Sequence, residues 1–168
     1  MSRTLFLLLP ALVLQAGESA IPNAVEVHSG VFVLRGAPNE ATCAAMKKEH
    51  ITHVIDLRRD EEPDLNCESE SSRLQNMGIQ YQRYAISKAP PAADFDFLRT
   101  ILRDLPRGSK VVLHCSNGNR AAAAVCPWLV LDKGMPAAEA LRIAAEAGLK
   151  APETQEAIRR YLASHGRG

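Results

Sequence analysis

The run Val111-Val112-Leu113-His114-Cys115-Ser116-Asn117-Gly118-Asn119-Arg120, continued by Ala121 to Ala124, constrains this chain more than any other stretch. Its apolar, β-branched opening predicts a buried strand. The alanine run predicts a helix start, because alanine has the best helix propensity. Between them lies a short polar loop with one glycine, opened by a cysteine and closed by an arginine. Successive backbone N–H groups in such a loop, with the positive end of the helix dipole behind them, favour a bound anion. The same field favours the thiolate of Cys115. Arg120 is permanently charged and its planar fork matches a tetrahedral oxyanion. The stretch therefore predicts a nucleophilic thiolate facing an anion. The plainer alternative is a buried structural cysteine at a strand end, with Arg120 on the surface. Cys126, among Val125, Pro127, Trp128 and Leu129, reads as core.

A chain of 168 residues supports one domain with a usable core. Its 20 basic and 19 acidic residues give a net charge of +1 without a charged block, which argues against nucleic acid as a partner. The N-terminus differs in kind. Arg3 precedes an apolar run from Leu5 to Leu14, and small or polar residues follow to Ala20. That pattern predicts a secretory signal peptide over residues 1–20, cleaved between about Ala16 and Ala20, and one domain over 21–168. The run is shorter than the roughly 20 residues a bilayer span needs, so stable membrane insertion after cleavage is not expected. Export places the protein in the periplasm or outside the cell. There Cys43 and Cys67 could pair, although the residues leave the pattern among Cys43, Cys67 and Cys126 open.

Taken in order, Ile21 to Ser29 reads as a polar lead-in. Val31 to Leu34 is a first strand, ended by Arg35-Gly36-Ala37-Pro38. Asn39 caps a helix to about His50. Val54 to Leu57 is a strand, followed by the charged loop Arg58 to Asp64. Ser69 to Met77 is a short helix stopped by Gly78, and Ile79 to Tyr84 alternates as a strand. Phe95, Leu98, Ile101, Leu102 and Leu105 follow a helical period. Beyond the central loop a helix reaches Asp132 with Pro127 inside it, expected to kink it. Two further helices are stopped by Gly148 and started by Pro152. Strands alternating with helices predict an α/β, three-layer domain: a mostly parallel central sheet of about four to five strands flanked by helices. Ligands bind at the carboxyl ends of such strands, where Cys115 falls. The five histidines show no metal-ligand spacing, and neither a metal nor another cofactor is expected.

Val111 to Ala121 resembles the loop of the cysteine-dependent phosphatase superfamily, in which His-Cys opens the loop and Arg closes it. Gly30 to Pro38, Val54 to Arg58 and Gly134 to Leu149 are similar to the bacterial dual-specificity and tyrosine-phosphatase-like group, so most of the chain after residue 20 is covered. The resemblance implies a phosphatase-like fold, Cys115 as nucleophile, Arg120 as phosphate clamp, the backbone of Ser116, Asn117, Gly118 and Asn119 as the anion cradle, and His114 in support. Three departures matter. The usual loop has five residues between Cys and Arg and this one has four, as in rhodanese-type sulfurtransferases. Ala121 stands where a supporting hydroxyl is common. The region expected to carry a general acid reads Ser87-Lys88-Ala89-Pro90, which leaves Asp94, Asp96 and Asp60, with Glu61 and Asp64 beside the last, as candidates. Rhodaneses, however, carry a Gly-His-Ile-Pro-Gly-like turn that does not follow Asp56-Leu57-Arg58 here, and this chain adds two helices after Gly134.

Three functions follow. The first is an exported phosphatase acting through a cysteinyl-phosphate on Cys115 with a phosphorylated or other small anionic substrate. The second is a sulfurtransferase carrying a persulfide on Cys115, and the third a catalytically weak module that holds an anion.

Overall fold

Alternating side chains sort this chain into layers, because successive residues of a strand point to opposite sheet faces. The computed structural model describes residues 17–63 and 65–167; most of the expected leader, and Asp64, lie outside them. In chain order the elements are β1 (Gly17–Glu18), β2 (Ala24–His28), β3 (Val31–Arg35), α1 (Glu40–Lys48), β4 (His53–Asp56), α2 (Cys67–Gln75), β5 (Gln80–Arg83), α3 (Ala92–Asp104), β6 (Val111–Cys115), α4 (Asn119–Leu131), α5 (Ala137–Ala147) and α6 (Pro152–Ser164). The sheet order is β1-β2-β3-β6-β4-β5. β3, β6, β4 and β5 run parallel, and β1 and β2 extend one edge antiparallel.

On β6, Val111, Leu113 and Cys115 join the core formed with α3, α4, α5 and α6. Val112 turns to the opposite core, shared with Cys43 and Met46 of α1 and Leu74 of α2. Helices thus cover both faces, the arrangement expected of a largely parallel sheet. α4 lies at the centre of the larger core, and its four alanines, all without solvent exposure, let it approach the sheet and its neighbours closely. Pro127 sits inside α4 without ending it.

The expected α/β three-layer domain is therefore present, with two corrections. The sheet has six strands among the described residues rather than four or five. The segment expected to be a polar lead-in contains β2, whose Val27 is 1% exposed, and Ile21 is buried in the second core. Val25 and Val27 alternate with Glu26 and His28, so the period was there. A register shift between Glu26 and His28 interrupts the pairing with β3, and Glu26 Oε1 accepts from the Gly30 amide at 2.9 Å to close the turn into β3. Cys43 and Cys67, one of the pairings left open, are free thiols. Cys43 faces Arg73, whereas Cys67 begins α2 six residues earlier, about 9 Å away along the helix axis. Cys126 lies in the core as expected, and burial pushes its thiol up to about 12. No helix among the described residues is long and apolar enough to cross a membrane.

Candidate active site

Two glycines set the loop that joins β6 to α4. Gly118 has φ +89 and precedes the first residue of α4; a Cβ there would lie 2.8 Å from the Ala147 carbonyl oxygen. Gly148, with φ +124, ends α5 and would place a Cβ 3.1 Å from the Asn117 carbonyl oxygen. Only residues without a side chain fit both the left-handed backbone and this approach. The end of α5 is thereby pressed against the loop.

Cys115 ends β6 and is fully buried. Its sulfur lies 3.9 Å from Asn117 Oδ1, the same oxygen that accepts from the Asn119 amide at 3.1 Å. One of the four amides expected to cradle an anion is therefore engaged by the loop itself. The amides of Ser116, Asn117 and Gly118 donate to no acceptor among the described residues. The Asn119 side chain is buried and committed to partners outside the loop. Its Nδ2 donates to Thr154 Oγ1 at 2.8 Å, and its Oδ1 accepts from the amides of Lys150 and Ala151 at 2.8 and 2.9 Å.

Arg120, in the first turn of α4, is 5% exposed. Its Nη1 donates to the Leu57 carbonyl at 3.0 Å, and its Nη2 to the Ser116 hydroxyl at 3.2 Å. Its principal partner is Glu62, whose Oε1 is 2.5 Å from Nη1 and Oε2 2.8 Å from Nη2. Burial alone would push the guanidinium pKa down, but Glu62 and the neighbouring Cys115 sulfur hold it above its usual value. The hydrogen bonds from Arg120 hold the Glu62 carboxyl at about 2, well below the usual range. The charged loop after Arg58 reaches the site as expected, but through Glu62 rather than the expected Asp60 or Glu61, and Asp64 lies outside the described residues. Nothing in the order of the loop's six charged residues singled Glu62 out.

His114 points to the opposite face from Cys115, as alternation requires. Its Nε2 approaches Glu70 Oε1 at 2.8 Å, and Asp56 Oδ1 is 3.9 Å away. Arg58 Nη2 bridges the two carboxylates, 2.7 Å from Asp56 Oδ2 and 2.5 Å from Glu70 Oε2. Tyr81 donates to Asp56 at 2.9 Å. Burial pushes the Asp56 carboxyl up, but Arg58 and His114 outweigh it and hold it below its usual value. Asp56, Glu70 and His114 could by spacing hold a cation, a grouping the sequence spacings did not suggest. The inserted guanidinium already supplies the positive charge, and a divalent ion beside it would be repelled, so the cluster reads as a buried ion network beneath the loop.

The three aspartates expected as candidate acids are elsewhere. Asp60 pairs with Arg83, and Asp96 on α3 accepts from Tyr161. Asp94 lies in the first turn of α3, its carboxyl raised by partial burial. None lines the cavity of about 390 Å³ beside the loop, whose walls are Lys88, Ser116, Asn117, Asn119, Arg120, Gly148, Lys150, Ala151 and Glu153. Glu153, at the start of α6, is the carboxylate that this wall contributes. It has no ion-pair partner among the described residues.

A parallel sheet with a Cys-to-Arg loop between its central strand and the following helix is the fold of the tyrosine and dual-specificity phosphatase-like proteins. Solved structures of that class superpose on this chain. Tk-PTP, in a mutant form, is 21% identical with a TM-score of 0.70, covering 88% of this chain and 99% of its own. A candidate phosphatase from Shewanella putrefaciens is 19% identical with a TM-score of 0.70, covering 86% and 93%. PTPMT1 in complex with PI(5)P is 16% identical with a TM-score of 0.68, covering 84% and 96%. No protein-family model and no curated protein sequence matches the chain.

Proposed function

We propose that this protein is a cysteine-dependent phosphoric monoester hydrolase of the tyrosine and dual-specificity type. The observation that carries the reading is the two-oxygen anion already seated on Arg120: the Glu62 carboxylate lies where the loop arginine and Ser116 would receive phosphoryl oxygens. In the reaction, the substrate phosphoryl group displaces Glu62 from Arg120, and the loop rearranges to uncover Cys115. The sulfur attacks phosphorus, an S–P bond forms and the ester P–O bond breaks. Glu62, ionised down to a pH of about 2, has no proton to give at neutral pH. Glu153 is the other carboxylate at the cavity, and its position there makes it the group we assign to protonate the leaving oxygen. Water then attacks phosphorus, the S–P bond breaks, and inorganic phosphate and the thiolate are released. Arg120 and the loop amides of Ser116, Asn117 and Gly118 stabilise the charge on the transferring group.

Sulfur transfer is the second reading, favoured by the four-residue loop and by the Asn119 amide already taken by Asn117. There the Cys115 thiolate would attack the sulfane sulfur of a donor such as thiosulfate, gaining one sulfur and releasing sulfite. The third reading, a weak anion-binding module, draws on the full burial of Cys115. Intact mass after brief exposure to a phosphate ester or to thiosulfate separates all three. A phosphoryl adduct absent from Cys115→Ser supports the phosphatase; a single added sulfur with no phosphoryl adduct replaces it with the sulfurtransferase; neither adduct leaves the binding module.

Export belongs to the same proposal and is supported by residues 1–20. Cleavage after Ala16 would retain β1, whereas cleavage after Ala20 would remove it. N-terminal sequencing of the protein recovered outside the cytoplasm tests both.

A further inference from the structure

The cavity beside the loop is wider than one phosphoryl group needs and falls in the range of small-molecule sites. Its walls are polar: among the described residues, no aromatic side chain lines it. An aryl ring would therefore find little apolar surface there. Charge is distributed unevenly. Arg120 is neutralised by Glu62, which leaves Lys88 and Lys150 against Glu153. Neither lysine has an ion-pair partner among the described residues, and both are exposed. The chain as a whole carries +1, so this excess is local.

The two lysines come from segments far apart in sequence, and one buried hydrogen-bond chain fixes both to the loop. Asn119 Oδ1 accepts from the Lys150 amide at 2.8 Å. Asn119 Nδ2 donates to Thr154 Oγ1, whose hydroxyl donates to the Lys88 carbonyl at 2.5 Å. Thr154 has no solvent exposure and Asn119 is 7% exposed. Ordering two exposed cationic segments through a buried amide and hydroxyl holds their backbones at set positions beside Arg120. The side chains that follow from those backbones line the same cavity.

Resting on the phosphatase reading, we propose that Lys88 and Lys150 form a second anion subsite, and that the substrate is a small polar phosphoester carrying another anionic group, free or as a lipid headgroup. The phosphoryl group takes the Cys115 loop and the second anion bridges the lysines. Arg120 serves the first group only.

The test uses two esters of one skeleton: glycerol 3-phosphate, and 3-phosphoglycerate, which adds a carboxylate. Calorimetric titration of Cys115→Ser protein should show 3-phosphoglycerate binding at least tenfold more tightly, the scale of one charge-assisted hydrogen bond. That ratio should fall to near one in a Lys88→Met, Lys150→Met background and invert when both lysines become glutamate. Because turnover is not needed, selectivity without hydrolysis by the wild-type protein would sink the phosphatase reading and keep the subsite. Hydrolysis with equal binding of the two esters would do the reverse. Tighter binding of phenyl phosphate than of either ester would overturn the proposal. With the ester selectivity in place, co-sedimentation with phosphatidylcholine vesicles containing phosphatidylinositol phosphate that is lost with the lysines assigns the headgroup source, and no co-sedimentation assigns the free ester.

Discussion

Glu62 and Arg120 stand 58 residues apart in the chain and meet end to end, with both carboxylate oxygens on both terminal guanidinium nitrogens at 2.5 and 2.8 Å. The Leu57 and Ile86 carbonyls share Nη1 with Glu62, and the Ser116 hydroxyl shares Nη2. An incoming oxyanion must therefore compete with a carboxylate of this chain. Glu62→Gln removes the competing charge and should tighten vanadate or sulfate binding on the order of tenfold, read by inhibition or calorimetry. Weaker binding would make Glu62 a brace for Arg120 instead.

The same pair should shape acid stability. The Glu62 carboxyl moves from about 4.5 to about 2 on folding, so its contribution is complete above the higher value and is lost as pH falls through the lower. Denaturant titrations across that window should show a shallower decline in Glu62→Gln than in the wild type.

Gly148→Ala should destabilise the protein by about 1–3 kcal/mol, because alanine is strained at a positive φ and its methyl would crowd the Asn117 carbonyl. The loop on the other side of that contact carries the proposed anion site. A drop in kcat/KM without any change to Cys115 or Arg120 should accompany the loss, measured beside the unfolding midpoint.

Thr154→Val is nearly isosteric but leaves Asn119 Nδ2 and the Lys88 carbonyl without their shared partner. An unsatisfied buried donor costs about 1–3 kcal/mol. Hydrogen exchange should rise at the Lys150 and Ala151 amides, which Asn119 holds, while the sheet amides stay protected.

Glu153→Gln should slow alkyl phosphate esters much more than aryl ones, since an alkoxide needs its proton and a phenolate does not. Asp96→Asn, on the surface of α3, should leave that ratio unchanged. Equal loss for both ester types would remove Glu153 from proton transfer.

Much of this protein was legible before folding was considered, because it rests on local physics. Three apolar residues, a cysteine, one glycine, an arginine and four alanines dictate a strand, a loop and a helix over Val111 to Ala124, and β6 and α4 are formed there. Asn39 caps α1 through Thr42, as its side-chain chemistry requires. β2 is a short, half-polar segment whose alternation of Val25 and Val27 with Glu26 and His28 is intact, and its pairing with β3, register shift included, came only with the tertiary structure. What the tertiary structure alone decided is partnership. Choosing Glu62 rather than Asp60 or Glu61 for Arg120, joining Asn119 to Thr154, setting Gly148 against the loop and placing Arg58 between Asp56 and Glu70 all depend on which distant backbones the sheet order brings together. Sequence periods state which face a residue takes; they carry no information about which charge, far along the chain, will stand opposite it.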